Sequence, residues 1–131
     1  MSEFLGAVKA HLQDLDLDIQ DEDVEEELVV VSDEERGITN LIVDCEDPIL
    51  ILEQAIMPIP SDPKDLYERL LEMNRTLIHG AFALDKETGT ILFRDTLRLD
   101  TLDRAEIEGT INALGLALAE NAGELLSYSD Y

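Results

Sequence analysis

The sequence predicts a single α+β domain, with a five-stranded antiparallel sheet and helices packed on it, in the order α-β-β-β-α-β-β-α. Three segments place apolar residues three and four positions apart, the spacing of one helix face. Five others are rich in β-branched residues or alternate apolar with polar, and turn residues separate them. The chain has 131 residues, so we expect residues 1–131 to form one domain.

The first helix is predicted from Ser2, a suitable N-cap, to Leu15. The acidic stretch Asp14–Glu27 follows, and it fits either a short strand or an extended connector. Three strands are then predicted with short turns between them, as in an antiparallel meander: Glu27–Val31, Ile38–Asp44 and Ile49–Ile59.

The second helix is predicted to begin at Asp62, as N-cap, and Pro63, as first helical residue, and to end near His79 and Gly80. A hairpin follows, with Ala81–Asp85 and Thr90–Leu99 as its strands and Gly89 supplying a positive φ in the turn.

The last helix is predicted to start after Asp100 or Thr101 and to reach Leu126, with an apolar stripe that Leu116 and Ala119 widen. It contains three glycines, which fit either close approach to a neighbour or an exposed, weak helix. Residues 127–131 are expected to form a loose tail. The buried core, and in part a dimer interface, is expected to include five residues: Leu70, Phe82, Phe93, Ile111 and Leu114.

The charge balance narrows the range of partners. Nine Lys and Arg oppose 31 Asp and Glu, a formal net charge of −22. This disfavours nucleic acid and anionic membrane surfaces, and it leaves basic protein partners and cations open. High charge also serves solubility alone. With no signal peptide recognised and one cysteine, Cys45, we expect a cytoplasmic protein.

The most tempting metal motif is a series of oxygen side chains at the liganding spacing of an EF-hand loop. The series comprises Asp14, Asp16, Asp18, Gln20, Glu22 and Glu25. However, Ile19 stands where that loop needs glycine, and a predicted strand follows where a helix should. These carboxylates are therefore weak candidates, and we predict no resident metal or cofactor.

Catalytic groupings are not recognisable in the sequence, so we expect a protein that is not an enzyme. Cys45 follows a strand-like run and is expected to pack, and His11 and His79 lie far apart in the chain. There is no nucleophile motif and no phosphate-binding glycine loop. Arg94 and Arg98 share one face of the fifth predicted strand, where we expect pairing with local acids.

The chain from Leu66 onward carries a family pattern: Leu66-x3-Leu70-Leu71-x2-Asn74, the run Gly80–Asp85, the turn Glu87-Thr88-Gly89, Ile91-Leu92-Phe93 and a final amphipathic helix. This pattern and the order of elements resemble the bacterial superfamily of type III secretion chaperone-like and YbjN-like proteins. Roughly half of the chain carries the pattern, and the remainder matches in element order.

The resemblance implies a small, acidic, cytoplasmic homodimer that binds protein. Secretion chaperones hold an unfolded stretch of another protein along apolar grooves and sheet edges. The leading hypothesis is therefore a chaperone-like module with a protein client, for which a basic and hydrophobic segment would suit. A regulatory or stress-linked protein with one folded partner is the alternative, and a calcium-responsive module is a remote one.

Overall fold

The computed structural model describes residues 4–130, which form three α-helices, one short 3-10 helix and six strands. The helices are α1 (Leu5–Asp14), α2 (Lys64–Asn74) and α3 (Arg104–Ser127), and the 3-10 helix is Glu34–Arg36. The strands are β1 (Asp18–Asp23), β2 (Leu28–Asp33), β3 (Ile38–Glu46), β4 (Ile49–Pro58), β5 (Ala81–Asp85) and β6 (Thr90–Arg98).

All six strands join one antiparallel sheet in the order β1-β2-β3-β4-β6-β5. The prediction of an antiparallel sheet with helices is confirmed, but the prediction of five strands is wrong. The additional strand is β1, which lies within the acidic segment that fits both strand and connector. Only Ile19 of its six residues is partly buried, so β1 is held through its backbone pairing with β2.

The helices cover one face of the sheet and enclose two clusters of buried apolar side chains. The first cluster joins α1 to β2, β3, β4 and β6, and the second joins α2 to β4, β5 and β6. Helix α3 contributes to both, with Ile107, Ile111 and Leu114 in the first and Ala117 and Leu125 in the second. It therefore ties the two halves of the core together.

Helix α2 begins and ends at other residues than the sequence predicts. Its N-cap is Pro63, one position after the predicted Asp62, and its last helical residue is Asn74. The predicted end at His79 and Gly80 is wrong. The helix stops earlier because the side chain of Asn74 forms hydrogen bonds to the backbone of β5 and the chain turns after this residue. Gly80 does have a positive φ of 73°.

Packing also requires a glycine at position 80. A Cβ on this residue would lie 2.4 Å from Cζ of Phe93, whose ring is fully buried. The absence of a side chain at Gly80 thus leaves room for the largest fully buried side chain of the core.

The turn between β2 and β3 is the 3-10 helix, closed by Gly37 with φ 80°. Buried Gln54 on β4 fastens it: its Oε1 accepts from the backbone N–H of Thr39 at 2.9 Å, and its Nε2 donates to the carbonyl of Gly37 at 3.2 Å. Buried polar groups need such partners, so Gln54 fixes the turn against the sheet.

Helix α3 starts at Arg104, where the Asp103 side chain accepts from the backbone N–H of Glu106 at 2.9 Å. Two of its glycines lie at close approaches and the third does not. A Cβ on Gly115 would lie 2.9 Å from the carbonyl oxygen of Arg36, and one on Gly109 would lie 3.1 Å from the His79 ring. Around Gly123 there is open space.

The sequence also predicts a helix N-cap near the start of the chain and a loose tail at its end. The predicted N-cap Ser2 lies outside the described residues. Ser127, the first residue of the predicted tail, is the last residue of α3. Beyond it, the Asp130 carboxylate accepts from the backbone N–H of Ser61 at 3.0 Å and from its hydroxyl at 3.2 Å.

Candidate functional site

Cys45 lies on the inner face of β3 and is buried in the first core cluster. Burial, followed by the negative charge of Glu27, Asp44 and Glu46, raises the pKa of its thiol to about 11. Thiolates are the nucleophilic form of cysteine, so this environment favours packing over reactivity.

The weak metal candidates do not converge on one point. Asp14 ends α1, Asp16 has a positive φ in the following turn, Asp18 opens β1, and Glu25 lies in the turn towards β2. Within residues 4–130, no group of three or more His, Cys, Asp or Glu side chains is placed to hold a metal ion. The residues with EF-hand spacing therefore lie at the end of a helix, in a strand and in turns, and do not form a calcium-binding loop.

Both arginines of β6 are paired with nearby acids, as the sequence predicts. Nε of Arg94 donates to Glu53 on β4 at 2.8 Å, and Nη2 of Arg98 lies 2.7 Å from Asp100. Both arginine side chains remain well exposed, so each can take part in further contacts.

The five residues predicted for core or interface are all buried within this chain: Leu70, Phe82, Phe93, Ile111 and Leu114. Phe82 and Phe93 meet edge to face, with ring centroids 6.4 Å apart. A contact surface for another molecule must therefore rely mainly on other apolar residues, although Ile111 also lines the groove described below. Two of these stand out near α3: Leu116 is 55% exposed and Ile78 is 84% exposed.

Leu116 lies between two depressions on the outer side of α3. The larger is an open groove of about 590 Å3 between α3 and the 3-10 helix, which we call the α3 groove. Its lining consists of Glu34, Glu35, Arg36, Gly37, Ile111, Asn112, Gly115, Leu116, Leu118 and Ala119. The smaller, of about 80 Å3, lies between α3 and the segment 76–78.

The α3 groove has an apolar floor and an acidic rim. Gly115 lets the 3-10 helix approach α3 closely, which brings Glu34 and Glu35 over one side of the groove. The one cation in its lining, Arg36, donates to Asp33 and to the carbonyl of Leu15, so part of its charge is already compensated. Apolar contact framed by carboxylates suits a ligand that combines aliphatic and basic groups.

A second apolar surface is the side of the sheet that the helices leave open, which we call the outer sheet face. It carries Val30 of β2, Ile42 of β3, Ile49 and Ile51 of β4, and Leu92 of β6. None of these side chains belongs to either core cluster, and Ile42 is 41% exposed.

Two findings bear on the kind of protein this is, one from its helices and one from a comparison of its sequence with family models. None of the helices formed by residues 4–130 has the length and apolar character needed to cross a membrane. The family model CesT_Tir_1 matches residues 1–131, the full length. The chain belongs to the CesT_Tir_1 family. This agrees with the type III secretion chaperone-like and YbjN-like superfamily that the sequence pattern indicates.

Two solved structures share the fold of this CesT_Tir_1 member. YbjN from E. coli superposes with a TM-score of 0.68 at 12% identity, covering 92% of this chain and 93% of YbjN. A chain of the HopA1–SchA chaperone–effector complex gives 0.61 at 11% identity, covering 84% of this chain and 86% of the other. Such low identities establish the fold. No curated protein sequence gave a match.

The exposed apolar residues are what sequence reasoning misses in this CesT_Tir_1 member. Leu116 extends the predicted apolar stripe of α3, so periodicity assigns it to the core although it faces solvent. Strand β4 alternates buried Leu50 and Leu52 with the half-buried Ile49 and Ile51, and an apolar run of this kind predicts burial on both faces. The uncovered outer face becomes visible only when all three helices are found on the inner side.

On the outer sheet face, Asp44 has an unusual environment for a carboxylate. Its Oδ1 is buried and accepts no hydrogen bond among the described residues. Burial, the adjacent Glu46 carboxyl and the charges of Glu26 and Glu53 raise the pKa of Asp44 from 3.8 to about 6. The two carboxyls can hydrogen bond to each other only when one of them carries a proton.

Replacing Asp44 by asparagine is expected to stabilise the folded protein at pH 7.5 by about 1 kcal/mol, a value discounted for its solvent exposure. Because its folded pKa is raised, the folded state binds the Asp44 proton more tightly than the unfolded state between about pH 4 and 6. Wild-type stability should therefore gain as the pH falls through this window, and the advantage of Asp44→Asn should shrink. Urea unfolding at low protein concentration from pH 4 to 7.5 measures both.

Asp18→Asn is the control for the loss of one negative charge from a chain of net charge −22. An equal and pH-independent gain in both variants would show that general repulsion, and not the surroundings of Asp44, sets the effect.

Proposed function

We propose that this chain is a non-enzymatic, cytoplasmic protein-binding module that holds a protein client or partner and acts as a homodimer. The observation that carries the proposal is the α3 groove, with exposed Leu116 between two depressions and Glu34 and Glu35 along the rim. Its occupant is an unfolded segment in which aliphatic and basic residues alternate.

The α3 groove offers both the apolar contact and the negative charge that such a segment needs. Burying a leucine-sized side chain is favourable by about 1.5–3 kcal/mol, which Leu116 and the groove floor supply. The acidic rim and the net charge of −22 attract a basic segment and repel an acidic one. Membership of a chaperone-like family and the fold shared with a chain of a chaperone–effector complex support a protein as the ligand.

Leu116→Asp is expected to weaken binding of an unstructured Leu/Lys peptide at least about tenfold, because a charge then replaces apolar contact in the groove. Fluorescence anisotropy with a labelled peptide measures the affinity, and a Leu/Glu peptide of equal length should bind far more weakly. Leu71→Asp is the control, because Leu71 is also an exposed leucine, at 73% against 55% for Leu116, and lies on α2 outside the groove.

Equal affinities for the two peptides, or equal losses in the two variants, would contradict the proposal. Failure of every extended peptide, combined with capture of one folded protein by the wild type but not by Leu116→Asp, would favour the regulatory alternative on the same groove.

A further inference from the structure

The smaller of the two depressions beside α3 adjoins the α3 groove. We call it the small depression, and its lining consists of Thr76, Leu77, Ile78, Ala113, Leu116, Ala117 and Glu120. Leu116 also lines the α3 groove. The two depressions therefore share a wall, and that wall is an exposed leucine.

Helix geometry places the two depressions on opposite flanks of α3. Successive residues of an α-helix are rotated by about 100° around its axis. Seen from Leu116, Gly115 and Ala119 therefore turn towards the 3-10 helix, and Ala113 turns towards the segment 76–78. A line that joins the two depressions consequently crosses α3 over Leu116 and does not follow the helix axis.

The two depressions differ in size, so they accept different parts of a bound segment. The small depression has a volume of about 80 Å3, which suits one aliphatic side chain. The α3 groove, at about 590 Å3, has room for a side chain together with the backbone that carries it. A single segment that fills both must pass over Leu116.

The width of α3 sets the spacing of two side chains that enter both depressions at once. An α-helix with its side chains is about 10–12 Å across. An extended chain rises about 3.3 Å per residue, so four residues span about 13 Å and two residues span only about 7 Å. Because alternate side chains of an extended chain point to the same side, positions i and i+4 both face α3 at a sufficient distance.

A helical segment would need another spacing. Its side chains at i and i+4 lie about 6 Å apart, which is too close to reach both depressions. Side chains at i and i+7 of a helix are separated by about 10 Å along its axis and would reach them. The spacing of the aliphatic residues thus reports the conformation of the bound segment.

Acidic side chains stand at both depressions. Glu34 and Glu35 line the α3 groove, and Glu120 lines the small depression. Among the described residues that line the small depression there is no cation. Lysine or arginine beside either aliphatic residue can therefore meet a carboxylate, and an acidic segment is repelled along the whole crossing.

We infer that the client segment crosses α3 in an extended conformation and places aliphatic side chains i and i+4 in the two depressions, on either side of Leu116. Basic residues lie beside each of them, and residue i+2 lies over Leu116. The inference rests on the proposed function and adds to it the direction of the segment and the spacing of its aliphatic residues.

The first test compares peptides of identical composition that differ in the distance between two leucines. In a background of lysine and serine, the leucines stand at i and i+3, i+4, i+5 or i+7. The i,i+4 peptide is expected to bind at least about tenfold more tightly than the other three, whose second leucine faces away from α3 in an extended chain. Fluorescence anisotropy at physiological salt measures the four affinities.

The second test fills the small depression. Ala113→Leu occupies the space that one of the two leucines needs, so the affinity for the i,i+4 peptide should fall to about that of the i,i+3 peptide. The affinity for the i,i+3 peptide should stay unchanged, because its one inward leucine can use the α3 groove. Ala105→Leu makes the same change at an exposed position of α3 outside both depressions, and it should preserve the preference.

Ile78→Ser is a second variant of the same depression that does not depend on packing a larger side chain. Ile78 is a highly exposed wall residue, so its replacement should leave the fold intact. It is expected to reduce the preference for the i,i+4 peptide in the same direction as Ala113→Leu. Circular dichroism and urea unfolding show whether all three variants are folded.

The outcomes distinguish this crossing from the proposed function. Equal affinities for all four peptides, or a preference that survives in both Ala113→Leu and Ile78→Ser, would overturn the crossing while peptide binding still supports the α3 groove. A preference for the i,i+7 peptide would overturn it in favour of a helical client. Failure of every peptide to bind would overturn the proposed holding of an unfolded client, and the crossing with it.

Discussion

Gly80→Ala is expected to lower the free energy of unfolding by about 3 kcal/mol. Two costs add. Gly80 has φ 73°, a conformation that costs other residues about 1 kcal/mol. The added Cβ would lie 2.4 Å from Cζ of Phe93, a ring that is fully buried and packed edge to face with Phe82.

Urea unfolding measures this loss, and Gly89→Ala provides the comparison. Gly89 has a similar φ of 67°, but nothing lies within 4 Å of its added Cβ. Gly89→Ala should therefore show the backbone cost alone, about 1 kcal/mol. If both variants lose the same stability, the Phe93 ring yields to the new methyl group and the packing argument is wrong.

Removal of the Asn74 side chain is expected to cost about 2–3 kcal/mol and to promote association through the sheet edge. Asn74 accepts from the backbone N–H of Phe82 at 2.7 Å and donates to the carbonyl of Phe82 at 3.1 Å. These are the backbone groups of β5, an edge strand of the sheet. Asn74→Ala leaves both groups without their partner and opens the edge to another strand.

Unfolding measurements and light scattering at increasing concentration test the two consequences separately. Asn74→Asp keeps an acceptor but no donor, so it should retain part of the stability. Asn112→Ala, at an exposed position on α3, is the control for loss of an asparagine. An Asn74→Ala protein as stable as this control would show that water replaces the side chain at no cost.

The sequence predicts those parts of the fold that follow from local periodicity and turn residues. The turns at Gly37 and Gly89 have the positive φ that glycine allows, and strand β6 alternates buried Ile91 and Phe93 with more exposed neighbours. Strand β1 escapes confident prediction because its side chains are acidic and its stabilising contacts are backbone bonds to β2, which local sequence does not encode.

The candidate surfaces are harder to predict from the sequence, because their exposure depends on where the other elements of the fold pack. Periodicity groups Leu116 with Leu114 and Leu118, and only the position of the 3-10 helix beside Gly115 shows that Leu116 remains exposed. Similarly, Glu46, Ile49 and Arg98 lie side by side on three adjacent strands. This alignment depends on the register between β4 and β6, which are distant in sequence. Such juxtapositions arise from topology, and no local motif indicates them.

The participation of α3 in both core clusters has a consequence for biosynthesis. Ile111 and Leu114 complete one cluster, and Ala117 and Leu125 complete the other. Since a polypeptide is made from its amino end, the sheet and two helices leave the ribosome before either cluster can close. Until α3 follows, the nascent chain displays the part of the apolar inner face that α1 and α2 do not cover, so its folding is completed only after nearly all of this chain has been translated.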